Sequence, residues 1–376
     1  MQKVFYKDVK TYIFLGIFLA AFFSQLFIFN LNSYGITDKF AWANEAKYVQ
    51  TNDPQEFDML GAYGHPGAPI IDLTITLHSI FKIPYDKSVI LGLSFIDAFI
   101  IAAVVMLCYI LRPKNLWWLA VAAILIFNHL FLGVGATPPT VLASLLAVLI
   151  FLFSLKLYEQ KRKIIPREIV LWSLIAGLLV ATRTDIGSII IMTMAIFLWK
   201  KIDLRSLLFM GGALILVFVV VNPFMWFMPL QHIHDLVSKV VYHYGEYKVV
   251  HLSFFQILLI SPFAFISMLL SVIFLAFRKK MPFALPAKFI LATFLMTGIL
   301  SAILLTANFQ TQRYFYPIAF IWETFLPLYI FVLLPKARFS FIKSEQGQVK
   351  AQYIIQGLTI FVFIGYMFLS SMHLNW

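Results

Sequence analysis

Residues 12–31 read "YIFLGIFLAAFFSQLFIFNL", twenty positions without a charged side chain, with Lys3, Lys7 and Lys10 just before them. A helix needs roughly 17–25 apolar residues to cross a hydrocarbon core, so this run is long enough to span one. It is also long for the apolar centre of a secretory leader, and no small-x-small cleavage site follows it. It reads as an uncleaved first span. Comparable runs bounded by charges fall near 88–111, 116–134, 139–157, 168–182, 186–199, 206–222, 254–277, 286–306, 317–334 and 352–371. The expectation is an all-α integral membrane protein of about eleven transmembrane helices, with residues 1–376 forming a single transmembrane domain.

Composition points the same way. Of the 376 residues, 61% are hydrophobic and 12% charged, and mean hydropathy is +0.89, against roughly 25% charged residues in an ordinary soluble domain. The formal charge of +12 does not indicate nucleic acid, because the basic residues sit in short clusters between apolar runs instead of on one soluble face. They read as topology signals. With the N-terminus inside, 21 of the 29 basic residues fall on the inner side, in "RPK" (112–114), "KLYEQKRKIIPR" (156–167), "KKIDLR" (200–205), "FRKK" (277–280) and "PKARFSFIKSEQGQVK" (335–350), among others. Eight fall outside, an asymmetry of the kind that sets orientation. The sole cysteine, Cys108, lies in an apolar run, which excludes a disulfide framework and a cysteine metal site.

Ten of the 17 acids lie on the outer side in this topology, so any chemistry is expected there. Two outer segments are long, 32–87 and 223–253, and long loops in a compact chain commonly carry function. Interfacial helices are expected in both. The inner loops are too short for a nucleotide-binding domain, and neither G-x-x-x-x-G-K-[ST] nor G-x-G-x-x-G occurs in them.

Within the first outer loop, "ITDKFAWANEAKYVQTND" (36–53) supplies Asp38 and Glu45. It is followed by "GHPGAPIIDLTITLHSIFKIP" (64–84), where the prolines and glycine at 66, 67 and 69 enforce a turn and the residues after them suit a helix lying along the interface. His65 has the reach and pKa to contact a phosphate or hydroxyl. In "TRTDIG" (182–187), Arg183 and Asp185 stand at the ends of two spans, as substrate contacts or as an ion pair of the turn. The second outer loop holds His232, His234 and Asp235, whose spacing lacks the i, i+4 histidines of a helical zinc site and suits an interfacial helix instead. It ends in "YHYGEYK" (242–248), where His243, Tyr244 and Lys248 offer donors to a phosphate. Arg313 and Tyr314, in "NFQTQRYFYP" (308–317), bring a forked guanidinium and a ring to the mouth of the tenth span. Asp97 and Glu323 fall inside spans, where a carboxylate is functional or hydrogen-bonded within the bundle.

Their order along the chain resembles the glycosyltransferase C superfamily, polytopic enzymes that take a sugar from a polyprenyl-phosphate carrier on the outer side of the membrane. The likeness is to bacterial relatives of protein O-mannosyltransferases and of the lipid A aminoarabinose transferase. "NEAKY" resembles the family's Asp-Glu-x-x-Tyr, "HPGAP" its His-Pro-Gly segment, "ATRTDIG" its Thr-Arg-Pro-Glu-Gly turn, and "QRYFYP" its Arg-Tyr-x-x-Pro. The resemblance implies a polyprenyl-phosphate-linked sugar donor, an acceptor that is a glycan, lipid or protein, and a home in the bacterial inner membrane with the site outside. Asn44 holds the position of the family's leading Asp, which leaves Glu45 or Asp38 as the base. Substrate contacts would fall to His65, Arg183, Asp185, His243, Tyr244, Lys248, Arg313 and Tyr314. Relatives often carry a soluble domain after the last span; this chain stops at "HLNW", so acceptor recognition is expected without one. The resemblance specifies no cofactor, and a divalent cation at the carboxylates stays open. A transporter or flippase for a lipid-linked or anionic substrate is the competing reading, drawing on Asp97, Glu323 and the arginines.

Overall fold

The computed structural model describes residues 2–31, 36–51, 68–112, 116–132, 138–227, 261–276, 286–306, 316–333 and 344–373, with a few positions between 229 and 238. Every regular element among the described residues is helical. In chain order they are α1 (Gln2–Leu31), α2 (Ile36–Thr51), α3 (Ala68–Phe81), α4 (Tyr85–Leu111), α5 (Trp117–Leu132), α6 (Pro138–Glu159), α7 (Pro166–Thr182) and α8 (Thr184–Leu198). A 3-10 turn at Trp199–Lys201 leads to α9 (Leu204–Val220), α10 (Phe224–Phe227), α11 (Pro262–Ala276), α12 (Ala287–Thr306), α13 (Tyr316–Leu333) and α14 (Glu345–His373). Among the described residues, three stretches, Val9–Leu26, Tyr85–Leu111 and Thr140–Glu159, are long and apolar enough to cross a membrane, and several shorter apolar helices accompany them. The assembly is compatible with a membrane-embedded protein.

The helix ends follow from local chemistry. Pro84 precedes α4 and Pro166 opens α7, where the missing N–H costs nothing. Asp203 caps α9, its Oδ1 accepting the Ser206 N–H at 2.7 Å. α3 ends with Lys82 in the left-handed region, φ 54°, and its N–H returns to the His78 carbonyl at 2.9 Å.

α6 is apolar on all sides and lies at the centre, packed by α4, α7, α8 and α13. α13 is wedged between α6 and α11, whereas α1 lies along α4 at the edge and exposes much of its own surface. Phe151, Phe197, Phe289 and Phe325 interlock α6, α8, α12 and α13 with ring centroids 4.7–6.0 Å apart. Three of the four buried indoles find an acceptor among the described residues, Trp42 being the exception: Trp117 donates to the Thr324 carbonyl at 2.8 Å, Trp172 to Ser154 Oγ at 2.9 Å and Trp322 to Thr297 Oγ1 at 3.0 Å. Leaving such an N–H unbonded in a dry core would cost about 1–3 kcal/mol.

Side-chain contacts also establish which loops meet. The Arg112 guanidinium bonds Glu159 at 2.7 and 3.0 Å, so the C-terminal ends of α4 and α6 lie together and the two helices run parallel. Lys201 Nζ donates to the Gln160 carbonyl at 2.5 Å, bringing the α8–α9 turn to the same end. The opposite end therefore gathers the start of α4, the start of α6 and the α7–α8 corner.

Candidate functional site

The segment around Glu45, which the sequence places in an outer loop expected to hold interfacial helices, forms a sixteen-residue helix, α2. It contains no proline or glycine, and Ala, Gln, Glu and Lys favour helix. Trp42, Glu45 and Ala46 are buried at i, i+3 and i+4, with Val49 half-buried at i+7, so one stripe faces inward against α3 and α4. Glu45 is 1% exposed while the adjacent Asn44 is exposed. Asp38 belongs to the same helix about two turns earlier, and its side chain lies outside what is described.

The C-terminal end of α2 is clasped to the α3–α4 turn. Tyr85 OH donates to Gln50 Oε1 at 2.7 Å, and Gln50 Nε2 donates to Ser79 Oγ at 3.3 Å. The His78 ring stacks on Tyr85 at 3.9 Å with 16° between planes, and its Nδ1 meets the Ile83 carbonyl at 2.7 Å. Glu45 sits five residues before this clasp, about 7.5 Å along the helix. On α3, burial pushes the Asp72 carboxyl from its ordinary 3.8 up to about 7.

Arg183 is the single residue joining α7 to α8, with φ −147° and ψ 94°. Its N–H bonds the Leu179 carbonyl, and its own carbonyl accepts from Gly187, each at 2.8 Å. Gly187 permits the sharp corner, because a Cβ there would stand 3.0 Å from the Leu179 carbonyl oxygen. The guanidinium reaches Asp185 through Nε–Oδ1 at 3.0 Å and Nη2–Oδ2 at 2.5 Å, and Nη1 reaches Thr140 Oγ1 at 3.4 Å. The Arg183 side chain is 4% exposed and that of Asp185 54%, so the fork is held inside while the carboxylate opens outward. The ion pair of the turn is thus formed, and it does not exclude a substrate contact.

Glu45 and Arg183 share an end of the bundle and a neighbour. α2 packs on α3, and α3 packs on α7, which ends at Arg183. The pairing of residues 112 and 159 sets Thr140 level with about residue 93 of α4, roughly two turns deeper than Tyr85. His65, His243, Tyr244, Lys248, Arg313 and Tyr314 lie outside the described residues. His234 is exposed, its Nδ1 3.4 Å from Ser238 Oγ. Among the described residues, no three His, Cys, Asp or Glu side chains converge as a cation site.

Of the two carboxylates within spans, Glu323 accepts a hydrogen bond from Ser261 Oγ, which also accepts the Ala264 N–H at 3.1 Å and so caps α11. Asp97 is fully buried, and its carboxylate has no hydrogen-bond partner among the described residues. The two carboxylates do not pair with each other. Thr140 and Ser261 are the contributors that sequence reading missed. Each is a neutral hydroxyl at an apolar helix end, and only that position, a polar residue in an otherwise oily run, hints at it.

No protein-family model matches the chain, and neither does any curated protein.

Proposed function

We propose that this chain is a membrane glycosyltransferase of about eleven spans, N-terminus inside, that moves a sugar from a polyprenyl-phosphate donor to an acceptor on the outer side. The observation that carries the reading is the inward placement of Glu45 on α2, at the end of the bundle where α7 and α8 hold the Arg183 fork. A carboxylate on the buried stripe of a short polar helix is costly to retain for solubility alone. The reaction is a direct displacement. The acceptor O–H gives its proton to Glu45 or Asp38 while its oxygen bonds the anomeric carbon. The bond from that carbon to the phosphate oxygen breaks, and the electron pair leaves with the lipid phosphate, inverting the sugar carbon. Arg313 takes up the developing phosphate charge, aided by Arg183, Lys248 or His243. The base is asked for about 10²- to 10⁴-fold in rate.

Transfer by the purified protein from polyprenyl-phosphate sugars tests this, comparing wild type with Glu45→Gln, Asp38→Asn and Arg313→Ala. One carboxylate change is expected to lower turnover at least about a hundredfold. Undiminished transfer by both carboxylate variants, correctly folded, removes the proposal. For orientation, Asn44→Cys offers an exposed thiol beside the base, whereas native Cys108 is buried. An impermeant reagent added to intact cells is expected to label it, and protection would reverse the topology.

The second reading, a transporter for a lipid-linked or anionic substrate, draws on buried Asp97. Counterflow in liposomes, abolished by Asp97→Asn or Glu323→Gln, would favour it over transfer.

A further inference from the structure

We propose that the surface built by the α6–α7 loop and the α8–α9 turn is a docking site for anionic diacyl phospholipids. This shares with the preceding reading only the placement of the chain in a membrane, and uses none of the transfer chemistry.

Two basic clusters forty residues apart become one surface through the Lys201–Gln160 bond. The first contributes Lys161, Arg162, Lys163 and Arg167; the second contributes Lys200, Lys201 and Arg205. Against these seven cations stand two carboxylates, Glu168 and Asp203, leaving five positive charges in excess. Both carboxylates are already engaged. Glu168 receives the Arg162 fork at 2.7 and 2.8 Å, Gln160 Nε2 at 3.0 Å and the Ile165 N–H at 3.2 Å. Asp203 caps α9 through Ser206, and that bond, with Lys163 and Arg205 nearby, holds its carboxyl below the ordinary value. Lys161, Lys163, Arg167, Lys200 and Arg205 remain exposed.

What lies beside the charges identifies the occupant. Trp199 is 61% exposed within the second cluster, and Ile165, Leu204 and Leu208 are exposed at its edge. This apolar border continues along the outward faces of α7 and α9, which pack side by side, through Val170, Leu171 and Ile215. An RNA or acidic protein would meet the cations alone and make no contact with that apolar border, which a membrane fills with acyl chains. A diacyl lipid covers both, with phosphate on the lysines, acyl chains on the helix faces and the indole at the junction.

The test uses the full chain in nanodiscs containing phosphatidylglycerol or phosphatidylcholine brominated high on the acyl chains. Trp199 quenching is read as the difference from Trp199→Phe. Each cation near an anionic surface adds roughly fivefold to association, so a preference of at least about fivefold for phosphatidylglycerol is expected. It should decline toward unity as salt rises from about 0.05 to about 0.5 M. Changing the five exposed cations together to glutamine should abolish it. These side chains are exposed, and an unchanged unfolding temperature verifies the fold. Equal quenching by the two lipids, or a preference that survives the five changes, overturns the proposal. So does displacement of the brominated lipid by inorganic phosphate at about 10 mM, which would make this a site for the free anion. Loss of sugar transfer with the preference intact would count against the enzymatic reading alone.

Discussion

Replacing Gly177 by alanine puts a methyl group 2.6 Å from Val217 Cβ, 2.7 Å from its Cγ1 and 3.0 Å from the Leu214 carbonyl oxygen. Carbon atoms rest about 3.5–4.0 Å apart, so α7 and α9 must separate by about 1 Å. A Cβ and a carbonyl have no rotamer by which to yield. The substitution gains about 1 kcal/mol of helix propensity and incurs about 1–3 kcal/mol of overpacking. With rigid atoms on both sides the clash falls in the upper part of that range, about 2–3 kcal/mol, and a net loss of about 1–2 kcal/mol is expected. Gly212, on the exposed side of α9, has nothing within 4 Å of the same Cβ. There alanine should stabilise by about 0.5–1 kcal/mol. The pair is measured by thermal unfolding of the purified protein in detergent, followed by tryptophan fluorescence. Val217→Gly in the Gly177→Ala background should recover part of the loss, because it removes the opposing atoms. Gly177→Ala equal to or more stable than wild type would refute the close approach of α7 and α9, and with it the rigid seating of Arg183 two turns further on.

Other outcomes follow from the site. Asp72 is pushed up to about 7 in the fold from 3.8, so the folded state binds more protons between those values. Stability should therefore fall as pH rises from about 4 to about 7, and Asp72→Asn should flatten that slope in denaturation measured across the range. Tyr85→Phe deletes the hydroxyl that holds Gln50 and should cost about 0.5–1 kcal/mol. Faster amide exchange over the last turn of α2 would report it, and unchanged exchange would count against the clasp. Ser261→Ala removes both the cap of α11 and the donor to Glu323, for an expected loss of about 2 kcal/mol that Ser261→Thr largely restores.

Charge placement and apolar run length are properties of the chain alone, and they made most helices legible. The run at 88–111 became α4 from Tyr85, and that at 139–157 became α6, Pro138–Glu159. Hydrophobic burial drives both, and needs no knowledge of neighbours to recognise. The break at "TRTD" was equally readable, although not that a single residue would make the corner.

Which side of α2 turns inward was beyond the sequence. Its few apolar residues form no stripe broad enough to phase the helix, so α3 and α4 decide that Glu45 is covered and Asn44 exposed. The reach of Arg183 to Thr140, the cap that Ser261 shares with Glu323, and the union of residues 160 and 201 likewise join groups between 41 and 62 positions apart. Periodicity is a local quantity, set by 1.5 Å of rise and 100° of turn per residue. The sequence by itself determined an apolar helical chain with its basic residues in clusters between the runs. Only packing in three dimensions decided which carboxylates and guanidinium groups are buried, and which loops form one surface, because those outcomes depend on neighbours that no single helix specifies.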